Sequence, residues 1–163
     1  MPTDTPTATA EPTNVAVGYI EGIVDLQARR DESGAIVSAG AYWTVTSSHG
    51  TYALVVPPGL HTVTVSRPGY LTATRQAEVG EGRGILLPRL KLRSGDLVDG
   101  GGPDALVDQA DLDYLTGCFG RCRSQGSDPG LDLADLTDDG CVDLFDLVAV
   151  ASNWHRGPGL QEW

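Results

Sequence analysis

The sequence predicts two domains: an all-β sandwich of about seven strands, followed by a small α-helical module with two acidic loops. Short β-prone runs separated by turn signals occupy residues 16–92, which is typical of a sandwich. Helical spacing of apolar residues begins only after Asp104. The charge is divided in the same way, because residues 1–95 carry eight acids and eight bases, whereas residues 96–163 carry fourteen acids and three bases.

The predicted domain boundaries follow these changes in composition. Residues 1–14 form a Pro/Thr-rich linker, residues 15–94 the sandwich, residues 95–157 the helical module and residues 158–163 a tail. A linker directly after the first methionine suggests a fragment of a longer protein whose signal has been removed. Because Pro/Thr linkers join the modules of secreted proteins, we expect a secreted or cell-surface location.

The predicted strands alternate apolar and polar residues. In the first strand the apolar positions are Ile20, either Ile23 or Val24, and Leu26. The further strand-like runs are 35–39, 41–47, 51–56, 61–66, 71–77 and 85–92. Turn sequences such as Pro57-Pro-Gly59 separate them.

Residues 50–71 read GTYALVVPPGLHTVTVSRPGYL, a hairpin pattern that resembles the carboxypeptidase regulatory-like domains. These domains are prealbumin-like sandwiches. The resemblance implies an accessory, non-enzymatic role for the first domain.

The acidic residues of the second part favour a bound hard cation. All thirteen acids between Asp96 and Asp146 are aspartates, and glycines lie among them. Short carboxylates in tight loops suit calcium. The acidic surface argues against nucleic acid and anionic membranes, and no run approaches the roughly 20 apolar residues of a membrane span.

The clearest loop runs from Asp135 to Asp146 and has the spacing of an EF-hand-like calcium loop. With Asp135 at position 1, Gly140 falls at position 6 and Asp146 at position 12. The predicted ligands are Asp135, Thr137, Asp139, Cys141 through its carbonyl, Asp143 and Asp146.

An earlier copy of this loop is stretched by an insertion. It begins at Asp96 or at Asp99, and we favour Asp96; Ala105 replaces the glycine of position 6. The predicted ligands are Asp96, Asp99, Asp104, Leu106, Asp108 and Asp111. The two loops together predict two calcium sites, and we expect calcium to contribute much of the folding free energy of this small module.

A helix follows each loop. Leu112, Leu115 and Phe119 form one apolar stripe, and Leu147, Val150 and Trp154 form the other, so the two helices are expected to pack together with Val107 and Val142 between the loops. We predict that residues 120–130 are a connecting segment.

The three cysteines, Cys118, Cys122 and Cys141, form neither a disulfide framework nor a zinc pattern. One bridge involving Cys141 and three free thiols are both compatible with the sequence.

The repeats resemble dockerin modules over about residues 95–157, in the pattern D-x-N-x-D-G-x-V-x-x-x-D-L, from which Thr137 departs at the third position. The resemblance implies a type I dockerin-like module that binds a cohesin domain of a scaffold or surface protein, as in cellulosome-like assemblies for polysaccharide degradation. The recognition surface would include Gln109, Ala110, Leu144 and Phe145. The pair Leu144 and Phe145 could instead pack against the sandwich.

We therefore expect a calcium-dependent binding module and no enzyme. His49, His61 and His155 are paired with no nucleophile at a recognisable spacing. The alternative function is a calcium-stabilised spacer or terminal cap of a large extracellular protein, with no cohesin partner.

Overall fold

The computed structural model describes residues 16–97, 104–123, 128–157 and 163. These ranges hold eight strands and three helices. The strands are β1 Gly18–Leu26, β2 Ile36–Ala39, β3 Tyr42–Val45, β4 Thr51–Val56, β5 Gly59–Ser66, β6 Ala73–Val79, β7 Gly84–Leu86 and β8 Leu90–Leu92. The helices are α1 Gln109–Cys118, α2 Pro129–Ala134 and α3 Leu144–Ala151.

The strands form two four-stranded sheets, which confirms the predicted β-sandwich. In one sheet β1 is central and pairs antiparallel with β4 and parallel with β7 and β8. The other sheet has the order β3-β2-β5-β6 and is antiparallel throughout.

The segment predicted as one last strand, 85–92, is two strands in the structure. β7 and β8 pair with successive parts of β1, and Leu87, Pro88 and Arg89 separate them. Pro88 has no N–H to donate to a sheet, so the ladder breaks there.

The core of the sandwich follows the alternation of its strands. Ile20, Val24 and Leu26 of β1 point inward and are buried, which selects Val24 over Ile23 as the core position. They meet Val37 and Val63 of the opposite sheet in one cluster.

A second apolar cluster lies among the helices. Its buried members are Leu71, Leu97, Val107, Leu115, Cys118, Leu131, Ala134, Leu136, Val142, Ala149 and Val150. Val107 and Val142 are fully buried between the loops, as predicted. Leu71 comes from the sandwich sequence, so the sandwich contributes to the helical core.

Phe119 and Trp154, two residues predicted in the helical stripes, lie outside this core. Phe119 is 50% exposed and Trp154 is 36% exposed. α1 ends before Phe119, whose backbone is extended, and α3 ends at Ala151. The helical periodicity therefore does not continue to either residue.

Helix α2 begins at the end of the segment predicted as a connection and extends beyond it to Ala134. The side chain of Asp128 accepts hydrogen bonds from the N–H groups of Gly130 and Leu131, and Pro129 takes the first helical position. Both are standard signals for the start of a helix. Leu131 then packs into the helical core.

A buried polar contact joins the last turn to the sandwich. The amide nitrogen of Asn153, a residue with no exposed surface, donates to Gln27 Oε1 and to the carbonyl oxygen of Ser94, each at 2.7 Å. Tyr70 also donates to the carbonyl oxygen of Gln27 at 3.0 Å. No helix within the described ranges is long and apolar enough to cross a membrane.

Candidate functional site

The two loops start their helices with the same capping geometry. Asp108 accepts a hydrogen bond from Ala110 N at 2.8 Å, and Asp143 accepts one from Phe145 N at 2.7 Å. Both capping residues have a φ of −140°, and ψ is −160° at Asp108 and −159° at Asp143. A capping box of this kind satisfies N–H groups that a helix start leaves free.

The last acidic residue of each loop completes the capping box. Asp111 Oδ2 accepts from Asp108 N and Asp146 Oδ2 accepts from Asp143 N, both at 2.8 Å. Both carboxylates are completely buried. The second halves of the two loops are therefore built alike, although their sequences differ.

The middle of each loop also has one common geometry. Asp104 accepts a hydrogen bond from Leu106 N at 2.9 Å, and Asp139 accepts one from Cys141 N at 3.0 Å. In each loop, the residue between the acceptor and the donor has a left-handed backbone conformation, with φ of 65° at Ala105 and 97° at Gly140. Alanine thus adopts the backbone that glycine adopts in the other loop, at a conformational cost.

The first acidic residue of each loop is buried. Asp96 is 1% exposed and Asp135 is 0% exposed. Asp99, the other candidate for the start of the first loop, lies outside the described residues. The predicted assignment of Asp96 to position 1 stays a prediction.

In the second loop, main-chain groups surround the buried carboxylates. Asp135 accepts from Asp139 N at 3.2 Å and from Gly140 N at 3.0 Å. Asp146 Oδ1 accepts from the main chain of Thr137 at 2.9 Å and from its hydroxyl at 3.1 Å. The hydroxyl of Thr137 is thus directed to the carboxylate at the end of the loop.

The first loop holds a buried carboxylate that is only partly satisfied. Burial, followed by the negative charges of Asp111 and Asp104, raises the pKa of Asp96 to about 7. Its Oδ1 atom is buried and has no hydrogen-bond partner within the described ranges. An unsatisfied buried carboxylate oxygen is costly, and a hard cation is one group that would satisfy it.

The second loop differs because a basic side chain reaches it. Burial raises the pKa of Asp135, whereas the N–H of Gly140 and the guanidinium of Arg123 oppose this increase. Arg123 Nη2 lies 2.9 Å from Asp135 Oδ2.

The predicted calcium ligands can be compared with these positions. Within the described ranges, no group of three or more His, Cys, Asp or Glu side chains is arranged to hold a metal ion. The acidic oxygens face N–H donors and, in the second loop, an arginine. The chemistry of the donors fits calcium, and calcium binding at both loops stays a prediction.

The predicted partner-binding residues lie on the helices that follow the loops. Leu144 is 60% exposed and Phe145 is 67% exposed, and Val148 one turn later is 56% exposed. Leu144 and Phe145 therefore do not pack against the sandwich in this structure. In the first repeat Gln109 is exposed and Ala110 is half-buried; a binding role for these residues stays a prediction.

One disulfide closes the connection onto the second loop. Cys122 bonds to Cys141, while Cys118 is a buried free thiol in α1. The sequence indicated Cys141 as a bridge partner but did not identify Cys122.

The chain was compared with known proteins. No family model matches it, and no curated protein matches it. It is similar to solved structures of a type II cohesin–X-dockerin complex from Acetivibrio cellulolyticus. A chain of a C-terminal interface mutant of this complex matches with a TM-score of 0.73 at 22% identity, over 87% of this chain and 98% of that chain. A chain of an N-terminal interface mutant matches with a TM-score of 0.72 over the same shares. At this identity the likeness shows a common fold.

This comparison corrects the predicted partner. The matched structures have a type II cohesin as one component, and a module of cohesin type has a dockerin as its partner rather than a second cohesin. The prediction of a cohesin domain as the partner of this chain is therefore wrong. The sequence resemblance depended on the pattern of the loop–helix repeats, which does not show the surface of a partner.

Proposed function

We propose that this chain is a non-catalytic, calcium-dependent protein-binding module of a secreted or cell-surface protein. The observation that carries the proposal is the common construction of the two loops, each with a buried aspartate at its start, an aspartate that closes a capping box and a left-handed residue between them. The similar fold of components of a cohesin–X-dockerin complex supports a role in extracellular assembly.

Calcium has a structural role in this proposal. Burial, and after it the negative charge of Asp111, raises the pKa of Asp96, so the calcium-free loop holds a poorly solvated carboxylate and like-charge repulsion. A divalent cation would remove that repulsion and fasten α1 and α3 to their loops. The sandwich is the accessory domain that supports this module through Asn153 and Leu71.

The proposed contact surface is the apolar start of α3. Leu144, Phe145 and Val148 are exposed large apolar side chains of this helix. An aliphatic and an aromatic residue exposed together suit a protein partner with a complementary apolar patch. Because α3 starts at the second loop, calcium there would control the orientation of this surface.

The second candidate is a calcium-stabilised spacer or terminal cap. It is favoured by the buried contacts between the last turn and the sandwich, which make a continuous structure suited to a spacer. In that case the exposed surface of α3 would have no partner.

A binding assay separates the two functions. Purified modules of cellulosome-type assemblies, dockerins included, are passed over the immobilised chain with calcium or with EGTA. The proposed function predicts that at least one module binds, that EGTA abolishes the binding, and that Phe145→Ser weakens it at least about tenfold. Leu60→Ser is the matched control, because Leu60 is also 67% exposed but lies on the sandwich. Binding by no module to a folded, calcium-loaded chain would favour the spacer.

A further inference from the structure

Arg123 contacts three carboxylates at the second loop. Its Nε lies 2.8 Å from Asp132 Oδ1, and its Nη2 lies 2.9 Å from Asp135 Oδ2 and 3.0 Å from Asp138 Oδ1. Asp135 is completely buried and is the first predicted ligand of this loop. A positive charge is therefore already present where the loop would bind calcium.

The main chain holds Arg123 in this place. Arg123 N donates to the carbonyl oxygen of Gly140 at 2.7 Å, and Val142 N donates to the carbonyl oxygen of Arg121 at 2.8 Å. The Cys122–Cys141 disulfide joins the same two segments covalently. The arginine is thus fixed directly beside the middle of the loop.

The first loop provides an internal comparison. Burial and then the charges of Asp111 and Asp104 raise the pKa of Asp96, while the N–H groups of Ala105 and Asp104 lower it. Among the residues that the structure describes, Asp96 Oδ1 has no hydrogen-bond partner. The buried first carboxylate of the second loop, in contrast, is paired with a guanidinium.

We propose that Arg123 is a built-in counter-ion of the second loop, which stabilises the calcium-free loop and lowers its affinity for calcium. The inference rests on the proposed function, in which this loop binds calcium. A guanidinium that pairs with Asp135 competes with calcium for that carboxylate and repels the divalent cation. Arg29 donates to the carbonyl oxygens of Asp135 and Leu136 and so holds the main chain. Its Nη2 also lies 3.6 Å from Asp138 Oδ1, farther than the 3.0 Å of Arg123 Nη2.

Isothermal titration of the full chain with calcium tests the proposal, using Arg123→Gln. We expect the second loop of Arg123→Gln to bind calcium about tenfold more tightly than that of the wild type. In EGTA the same variant should melt at a lower temperature, because the loop has lost its counter-ion, whereas the two proteins should melt alike in saturating calcium.

Two variants serve as controls. Arg121→Gln removes the same charge two residues away, from a side chain that pairs with Asp128 at 2.8 Å, and should change neither measurement. Arg123→Lys keeps the charge and should stay close to the wild type. In an Asp146→Asn background, which disables the second loop, Arg123→Gln should leave the remaining calcium binding unchanged.

The outcomes distinguish this proposal from the proposed function. Calcium affinity that is unchanged or weaker in Arg123→Gln, with the wild type binding two ions, would overturn the counter-ion role alone. If the wild type binds no calcium at roughly 10 mM, well above the affinities of extracellular sites, both proposals fail.

Discussion

Asn153 Nδ2 lies 2.7 Å from Gln27 Oε1, and this hydrogen bond joins the end of the helical module to the end of β1 in the sandwich. The same nitrogen donates to the carbonyl oxygen of Ser94 at 2.7 Å. Asn153 follows α3, whose first turn starts at the second loop. One short helix therefore links the second loop to the sandwich.

Substitution of Asn153 by alanine should destabilise the protein. It leaves Gln27 Oε1 and the carbonyl oxygen of Ser94 without this donor in a buried place, which costs about 1–3 kcal/mol of unfolding free energy. Urea unfolding of the calcium-loaded chain measures the loss. Gln76→Ala is the control, since Gln76 is an exposed residue of β6 in the sandwich, and its effect should stay within about 0.5 kcal/mol. Equal stability of the two variants would show that this contact contributes nothing.

Each loop should lose its own calcium ion when its last aspartate is changed. Asp111→Asn and Asp146→Asn each remove one negative charge that is completely buried, so each variant should bind one ion fewer than the wild type. Calcium titration gives the stoichiometry. Asp113→Asn, an exposed aspartate one turn into α1, should retain both ions. A variant that keeps the full stoichiometry would exclude its loop as a site.

The calcium-free protein should lose stability as the pH rises towards neutrality. The pKa of Asp96 is raised from 3.8 to about 7 in the folded state, so the folded chain holds a proton that the unfolded chain has released. This contribution is fully present below about pH 4 and is lost as the pH rises through about 7. Urea unfolding in EGTA between pH 5 and pH 8 measures it.

Asp96→Asn is the control for this pH dependence, because the amide does not titrate. The stability difference between the wild type and this variant should change steadily over that range. A difference that is flat with pH, or that changes in favour of the wild type as the pH rises, would contradict a raised pKa at the buried Asp96 carboxylate.

Reduction should destabilise the chain through the Cys122–Cys141 disulfide. The bond closes a sequence separation of 19 residues, for which the chain-entropy model gives about 3 kcal/mol. Urea unfolding with and without a reductant measures the change, and the double variant Cys122→Ser/Cys141→Ser should not respond to reductant. Thiol titration of the denatured, unreduced chain should find one free thiol, that of Cys118; three free thiols would contradict the bond.

The sequence predicted the elements that depend on local pattern. Alternation of apolar residues in β1 indicated Ile20 and Leu26 on its inward face and left Ile23 or Val24 open. The spacing of aspartates and glycine indicated the second loop. It also predicted the burial of Val107 and Val142 between the loops. These features depend on short-range spacing, which a single sequence displays directly.

Other features depend on contacts distant in sequence. β7 and β8 are separate strands because they pair with two different parts of β1, which the sequence does not show. Pro88 was the one local signal of the break. Helix α2 is short, and the Asp128-Pro129 start was hidden in a polar connection. The Arg123–Asp135 pair could not be predicted, because it requires the connection to fold back onto the loop.

The number of calcium ions bound by the chelator-stripped wild-type chain tests the central claim most directly. Isothermal titration should give two ions per chain, and the melting temperature should rise when they bind, because calcium stabilises only the folded state. Zero bound ions, together with the same cooperative melt in calcium and in EGTA, would contradict the account of this chain as a calcium-dependent module.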